Sequence, residues 1–442
     1  MVLNSLGYLL FLPVVFAGYY LLPGRMRNAF LLAASLAFYG CWELWFMVFL
    51  LWAIAVGYLS TVGWLRRSPL WVAVVLTLLP LAFFKYGNAS HWLVPVGISF
   101  YTFQTLAYIV DVRKGRLAAE RNIVRLALFV SFFPQILSGP INRGADLLPQ
   151  IQQSATRSFD RSLAFAGCQR LLWGLFMKTC VADRAALFVN VVFADYAHFN
   201  GTTLLLATLC YALQLYADFA GYSLMAIGSA EILGFRFRDN FRRPYFSLGF
   251  GDFWRRWHIS LSTWLRDYVY IPLGGSRTGM WRTRRNLLVT FLVSGVWHGA
   301  GPTFLVWGLC HGLLVVAERQ LPMEAIRRHR LTRAIGIALT FLLASLLWLL
   351  FRLPTLSDVG NVLWHLATTL SPSLQIPDNR DMKTTVVLMV AMGGLLLLKD
   401  LVDEYCPRQV SGLSRWAACI IVAMLVLLFG VLDAGQFIYI SF

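Results

Sequence analysis

The chain has 442 residues, 58% of them hydrophobic and only 13% charged, with a mean hydropathy of +0.65. So few charges exclude a water-soluble globular protein of this size and leave a polytopic membrane protein, long enough for about ten spans of about 20 residues each. The net charge of +17 (38 basic, 21 acidic) sits in short clusters between apolar runs, which points to positive-inside membrane topology and away from nucleic-acid binding.

Residues 5–22 form the first apolar run and end at Arg25 and Arg27, so this loop is expected in the cytoplasm and the N-terminus outside. The first stretch lacks a basic leader and a small-residue cleavage site, and is read as a retained span. The run to Arg66 and Arg67 breaks near Gly40 and Glu43, predicting a hairpin of two spans. Residues 69–84 lead outward, and PVGISFYTFQTLAYIVDV returns to the basic cluster Arg113, Lys114, Arg116, Arg121 and Arg125. Spans follow near 123–140, 161–195 and 203–234. Pro134, Gly139 and Pro140 within FFPQILSGPINR predict a broken or re-entrant segment, tolerated only where protein or water surrounds the backbone.

Residues 236–285 are rich in Arg and Trp and too polar to span. Within them Trp254, Trp257, His258, Leu261, Trp264, Leu265 and Tyr268 repeat at i, i+3, i+4, i+7, predicting one amphipathic helix with His258 on its apolar face, lying at the cytoplasmic interface or dipping into the protein. The apolar run 287–317 is interrupted at Gly299–Ala300–Gly301–Pro302, which places His298 at a turn between two segments. A basic loop at 327–333, a span at 334–352, a long outer loop to about 383, and spans near 384–401 and 416–434 complete the chain and place FIYISF on the outer face. With no internal repeat and no low-complexity linker, residues 1–442 are read as one membrane domain, of which 437–442 form an aromatic tail. The seven cysteines are scattered without a CxxC pair and read as small hydrophobes; no metal site is expected.

Two of seven histidines carry the chemistry. An imidazole inside a membrane segment is costly and marks a site facing the protein interior. An imidazole near neutral pKa can take a proton from an attacking hydroxyl and return it to a leaving group, and a second group can stabilise the oxyanion. His258 and His298, each beside a tryptophan (Trp257, Trp297), fit that chemistry; no HExxH, P-loop or GxSxG pattern competes. His311 is expected to face another direction, and His91, His198, His329 and His365 fall in loops or at their edges. Asp218, in LQLYADFAGYS, needs a buried partner, and either orients an imidazole or pairs with Arg242 or Arg243.

FWRRWHISLSTWLRDYVYIPLGG followed by VSGVWHGAGPTFLVWG, together with PVGISFYTFQTLAYIVDV, FFPQILSGPI and YALQLYADFAGYSLMAIGSAEILGF, resembles the membrane-bound O-acyltransferase (MBOAT) family over nearly the whole chain, and within it the bacterial polysaccharide O-acetylation branch, related to teichoic acid D-alanyl transfer. The resemblance implies an all-α helical bundle of about ten or more spans with re-entrant or interfacial helices around a central tunnel, with His298 the catalytic histidine and His258 at the second active-site position. It implies acetyl-coenzyme A or another acyl thioester as donor, entering past the basic stretch 236–285, with no bound cofactor. An exopolysaccharide would be the acceptor, and a periplasmic SGNH-type acetyltransferase and an exopolysaccharide synthase complex would be partners at the bacterial inner membrane. The ending FIYISF reads either as an aromatic interface belt or, by resemblance to a tyrosine motif of the D-alanyl system, as an acyl relay through Tyr439. D-alanyl transfer from a carrier protein is the alternative within the enzyme class; a polysaccharide-precursor transporter using the histidines as a proton relay is the alternative outside it.

Overall fold

The computed structural model describes residues 1–87, 93–277, 279–376, 380–406 and 412–431, and every regular element among them is helical. The chain is an all-α membrane protein. Its described residues divide into two compact units, one of residues 1–174 and 222–239, the other of 175–221 and 240–431.

In the first unit the apolar runs become the helices Leu6–Leu21, Gly24–Gly40, Phe46–Thr61, Leu70–Tyr86 and Ile98–Arg113, in the order the charge clusters predict. Proline precedes two of them, Pro23 before Gly24–Gly40 and Pro69 before Leu70–Tyr86, where its fixed φ suits a helix start. The expected break at Pro134 is present. Helix Ile123–Ser131 stops at Phe132 and a single turn, Phe133–Ile136, follows. The interruption removes the helical donor for the Phe129 carbonyl, and the side-chain amides of Gln104 and Gln135 both donate to that oxygen at 2.7 Å. The Phe133 amide, freed by the same break, donates to Ser35 Oγ at 3.1 Å. Irregular backbone is thus kept inside protein with its polar groups satisfied. Gly97, at φ 74°, lies against this turn; a Cβ there would stand 2.0 Å from the Ile136 carbonyl oxygen, so only glycine fits.

The second unit holds the long spans. Gly201–Ile232, Arg330–Arg352 and Asp381–Tyr405 are long and apolar enough to cross a bilayer, and Pro302–Glu318 and Leu413–Phe429 are shorter apolar helices. The Gly201–Ile232 helix starts where Asn200 Oδ1 accepts from the Thr203 amide at 3.0 Å. Residues 177–182 form a π-turn before helix Asp183–Ala194. Its i→i+5 geometry brings Lys178 and Asp183 to one side, with Nζ–Oδ1 2.7 Å. The outer loop expected between 353 and 383 contains a helix, Leu356–Thr368, capped by Thr355 Oγ1 accepting from the Asp358 amide at 3.1 Å. It buries Val359 and Val362 and exposes Trp364, the pattern of an interfacial helix that is too short to register as a span.

Candidate active site

His298 is the last residue of helix Met280–His298; Gly299 leaves it in extended conformation and Pro302 opens helix Pro302–Glu318. Proline suits that first turn, where its missing N–H costs nothing. The two helices approach closely through glycine: a Cβ on Gly295 would meet the Phe304 carbonyl oxygen at 2.4 Å, and one on Gly308 the Phe291 carbonyl oxygen at 2.4 Å. This approach lays Trp307 edge-on to His298, with ring centroids 5.0 Å apart, and Phe351 closes the other side at 5.0 Å. His298 is only 4% exposed. The turn at His298 is where the glycine–proline interruption predicts it.

His258 departs from the expected continuous amphipathic helix. Helix Phe250–Arg256 ends, Trp257 is extended, and His258 adopts φ 42°, ψ 55° before helix Ile259–Leu265 begins. Left-handed backbone is uncommon for a non-glycine residue and is held here by its surroundings. Residues 240–242 run beside the break and satisfy its backbone: the Arg242 amide donates to the Arg256 carbonyl at 2.9 Å, and the Ile259 amide to the Asn240 carbonyl at 2.8 Å. The i, i+3, i+4 spacing is real, but it belongs to two short helices joined at the histidine. The imidazole is buried at 1% exposure, so it does not reach toward an interface.

The side chain of Asn240 sets the chemistry of that imidazole. Its Oδ1 accepts from the Ser260 amide at 3.1 Å and lies 2.9 Å from Ser260 Oγ and 3.2 Å from His258 Nδ1. A backbone N–H can only donate, so this atom is the amide oxygen, and Nδ1 must carry the proton. The neutral ring therefore presents Nε2 as its basic nitrogen. Burial pulls the His258 pKa down to about 3, which keeps the ring neutral. Phe219 meets it edge-on at 4.6 Å, and the Trp297 ring lies 6.0 Å away. Trp297 is also 4.6 Å from His298, so both imidazoles border one indole.

Trp257 does not contact an imidazole in the same way. It stacks on Phe253 at 5.5 Å and meets Trp348 at 4.9 Å, forming the wall behind the break. Among the described residues Asp218 meets neither expected partner: its Oδ1 is 2.7 Å from Lys178 Nζ, which also holds Asp183. Arg243 and Arg256 are both engaged by Glu404, at 2.7 and 2.9 Å, and Arg256 also by Asp252 at 3.0 Å. Part of the basic stretch is thus neutralised within the protein. Tyr439 lies outside the described residues, as does His91.

Two residues were not legible as site neighbours. Asn240 is a lone amide in a polar loop with no local pattern to mark it. His311, expected to face elsewhere, is fully buried; its Nδ1 accepts from Trp254 Nε1 at 3.3 Å, and its ring is 4.7 Å from Trp307, the residue beside His298. The i, i+4 spacing of Trp307 and His311 on one helix is the signal that could have placed it. His198 is exposed and pairs with Asp195, His329 is exposed, and His365 lies within helix Leu356–Thr368. Among the described residues no group of three His, Cys, Asp or Glu converges to hold a metal ion.

Two buried imidazoles about one indole, one of them neutral with its hydrogen-bond-accepting nitrogen fixed, suit orientation of and proton transfer from a reacting hydroxyl. Comparison with known proteins points the same way. Residues 27–353 match the family model described as MBOAT, membrane-bound O-acyltransferase family. The chain is 40% identical to "Probable alginate O-acetylase AlgI" of Azotobacter vinelandii, over 83% of this chain and 77% of that protein. It is 30% identical to the peptidoglycan O-acetyltransferase of Helicobacter pylori, over 98% and 95% of the two chains. It is also 30% identical to the teichoic acid D-alanyltransferase of Bacillus subtilis, over 56% of this chain and 65% of that one.

Proposed function

Since the chain belongs to the membrane-bound O-acyltransferase family, we propose that it takes an acetyl group from a cytoplasmic thioester such as acetyl-coenzyme A and delivers it across the bacterial inner membrane for O-acetylation of an alginate- or cellulose-type exopolysaccharide. The observation that carries the chemistry is the placing of His258 and His298 against Trp297, with Asn240 fixing the proton on His258 Nδ1. The acetylase relatives support acetyl over D-alanyl, because their similarity extends over more of the chain.

His298 takes the proton from the acceptor hydroxyl as its oxygen attacks the thioester carbonyl. A carbon–oxygen bond forms and a tetrahedral oxyanion develops. Collapse of that intermediate breaks the carbon–sulfur bond, and the imidazolium returns the proton to the departing thiolate, so the products are an O-acyl ester and a free thiol. His258, neutral at working pH, supports the substrate through Nε2. The buried aromatic walls of Trp257, Trp307 and Phe351 exclude water that would otherwise hydrolyse the thioester. The acceptor is Tyr439 in a relay or the sugar itself; a periplasmic SGNH-type or related acetyltransferase is the partner that receives the group, and an exopolysaccharide synthase complex is a further partner.

The test is transfer of labelled acetyl from acetyl-coenzyme A by the full chain in proteoliposomes. His298→Ala is expected to lower turnover by about 10² to 10⁴-fold while leaving the protein monodisperse, the range a positioned acid–base group contributes. Tyr439→Phe is expected to abolish label on the protein itself. Undiminished turnover in His298→Ala removes this reading of the site; label on the protein that survives Tyr439→Phe removes the relay. Absence of acetyl transfer from the wild type, with transfer of D-alanine from a carrier, reassigns the donor.

A further inference from the structure

Away from the histidines, helices Arg330–Leu347 and Arg380–Tyr405 enclose a groove of about 610 Å³. Ile337, Ala338 and Phe341 line one wall, Leu397 and Leu401 the other, and Tyr245 forms the floor. Both helices belong to the segments long and apolar enough to cross a bilayer. The groove is therefore hydrocarbon-like along its length. Its end is not: Arg330 and Arg333 stand there, with the Arg333 guanidinium 5.2 Å from the centre of the Tyr405 ring.

This end carries uncompensated positive charge. Among the described residues neither arginine pairs with a carboxylate. The acids at the end of the facing helix are engaged elsewhere, Glu404 with Arg243 and Arg256, and Asp403 with Lys399. The first turn of helix Arg330–Leu347 contains no acidic residue, so the positive end of its dipole adds to the same field. Arg327 and Arg328 precede it, separated from Arg330 by His329. A long apolar channel ending in two guanidinium groups that no carboxylate among the described residues neutralises, at the basic side of a membrane protein, complements a molecule with a hydrocarbon chain and an anionic headgroup.

We infer that this groove binds an anionic phospholipid, one acyl chain lying along Ile337, Phe341 and Leu397 and the phosphate held by Arg330 and Arg333. The floor residue Tyr245 packs 6.1 Å from Trp257, the residue before His258, so the bound chain lies against the outer face of the wall that supports the histidine break.

The test is native mass spectrometry of the full chain, purified in detergent and offered phosphatidylglycerol or phosphatidylethanolamine. The wild type is expected to retain phosphatidylglycerol over phosphatidylethanolamine by about tenfold or more, as two basic residues at a membrane surface allow. Arg330→Gln with Arg333→Gln is expected to lose that preference, and Arg330→Lys with Arg333→Lys to keep most of it. Ala338→Trp, which fills the groove without altering its charge, is expected to lose bound lipid of both kinds. Equal retention of the two lipids by the wild type overturns the inference, as does a preference that survives the double glutamine change. Displacement of phosphatidylglycerol by coenzyme A also overturns it, by making the phosphates of the thioester donor the occupant.

Discussion

At the scale of single residues, one buried amide decides what His258 can do. Asn240 Oδ1 is the common acceptor for the Ser260 amide, Ser260 Oγ and His258 Nδ1, all within a pocket closed to solvent. Asn240→Ala would leave those donors without an acceptor, a cost of about 1 to 3 kcal/mol in a buried site. It would also free the ring to turn, so turnover is expected to fall by about 10²-fold with little change in KM, the scale on which a misplaced group acts. Asn240→Asp keeps the acceptor but adds a negative charge beside Nδ1–H. That charge favours the imidazolium and raises the His258 pKa from its depressed value of about 3 toward neutrality. A raised pKa means the ring protonates as pH falls through the new value, so kcat/KM in Asn240→Asp is expected to gain an acid limb between about pH 5 and 7 that the wild type lacks. A wild-type pH profile and turnover in both variants would assign Asn240 a purely structural part. Asp218 shows the same point in reverse: its sequence context suggests an imidazole or an arginine, yet a lysine 40 residues earlier in the chain is its partner.

At the scale of elements, two features depend on close backbone approach or compensated charge. The turn that presents His298 rests on Gly295 and Gly308 facing each other across two helices. Gly308→Leu would force its Cβ to within 2.4 Å of the Phe291 carbonyl oxygen, a backbone atom that cannot step aside. The variant is expected to separate the helices and lose acyl transfer, with a lower melting temperature in detergent; a variant that melts and turns over like the wild type would show that the hairpin does not set the site. The π-turn at residues 177–182 places Lys178 between Asp183 and Asp218. Lys178→Met would leave two buried carboxylates with no cation between them, expected to cost about 3 to 5 kcal/mol. Pairing it with Asp218→Asn should recover part of that loss, and a double variant no more stable than the single one would refute the compensation. The C-terminal helix also depends on this turn, since the Val431 amide donates to the Thr179 carbonyl at 3.1 Å and Cys180 Sγ reaches the Leu425 carbonyl at 3.5 Å.

At the scale of the whole molecule, the distribution of charge sets direction in the membrane. The basic cluster at 327–333 is expected in the cytoplasm, and the segment following the Arg330–Arg352 span outside. Reporter fusions check this: a fluorescent protein joined after residue 329 is expected to fluoresce and alkaline phosphatase joined there to be inactive, with the reverse after residue 375. Matching signals at both positions would mean that this segment does not cross. Composition alone determined that the chain is a helical membrane protein, because apolar runs, charge clusters and proline or glycine breaks are properties of short windows of chain. The same local rules located the interruptions at Pro134 and at Gly299 to Pro302, and therefore the turn that carries His298. Only the tertiary structure decided that His258 sits in a left-handed break and that Asn240, 18 residues away, fixes its proton. It likewise brought both imidazoles to Trp297, gave Asp218 to Lys178 and drew His311 into the aromatic cluster. The physical reason is that a buried polar group must find a partner somewhere, and which partner it meets is set by how distant helices pack rather than by its neighbours in sequence.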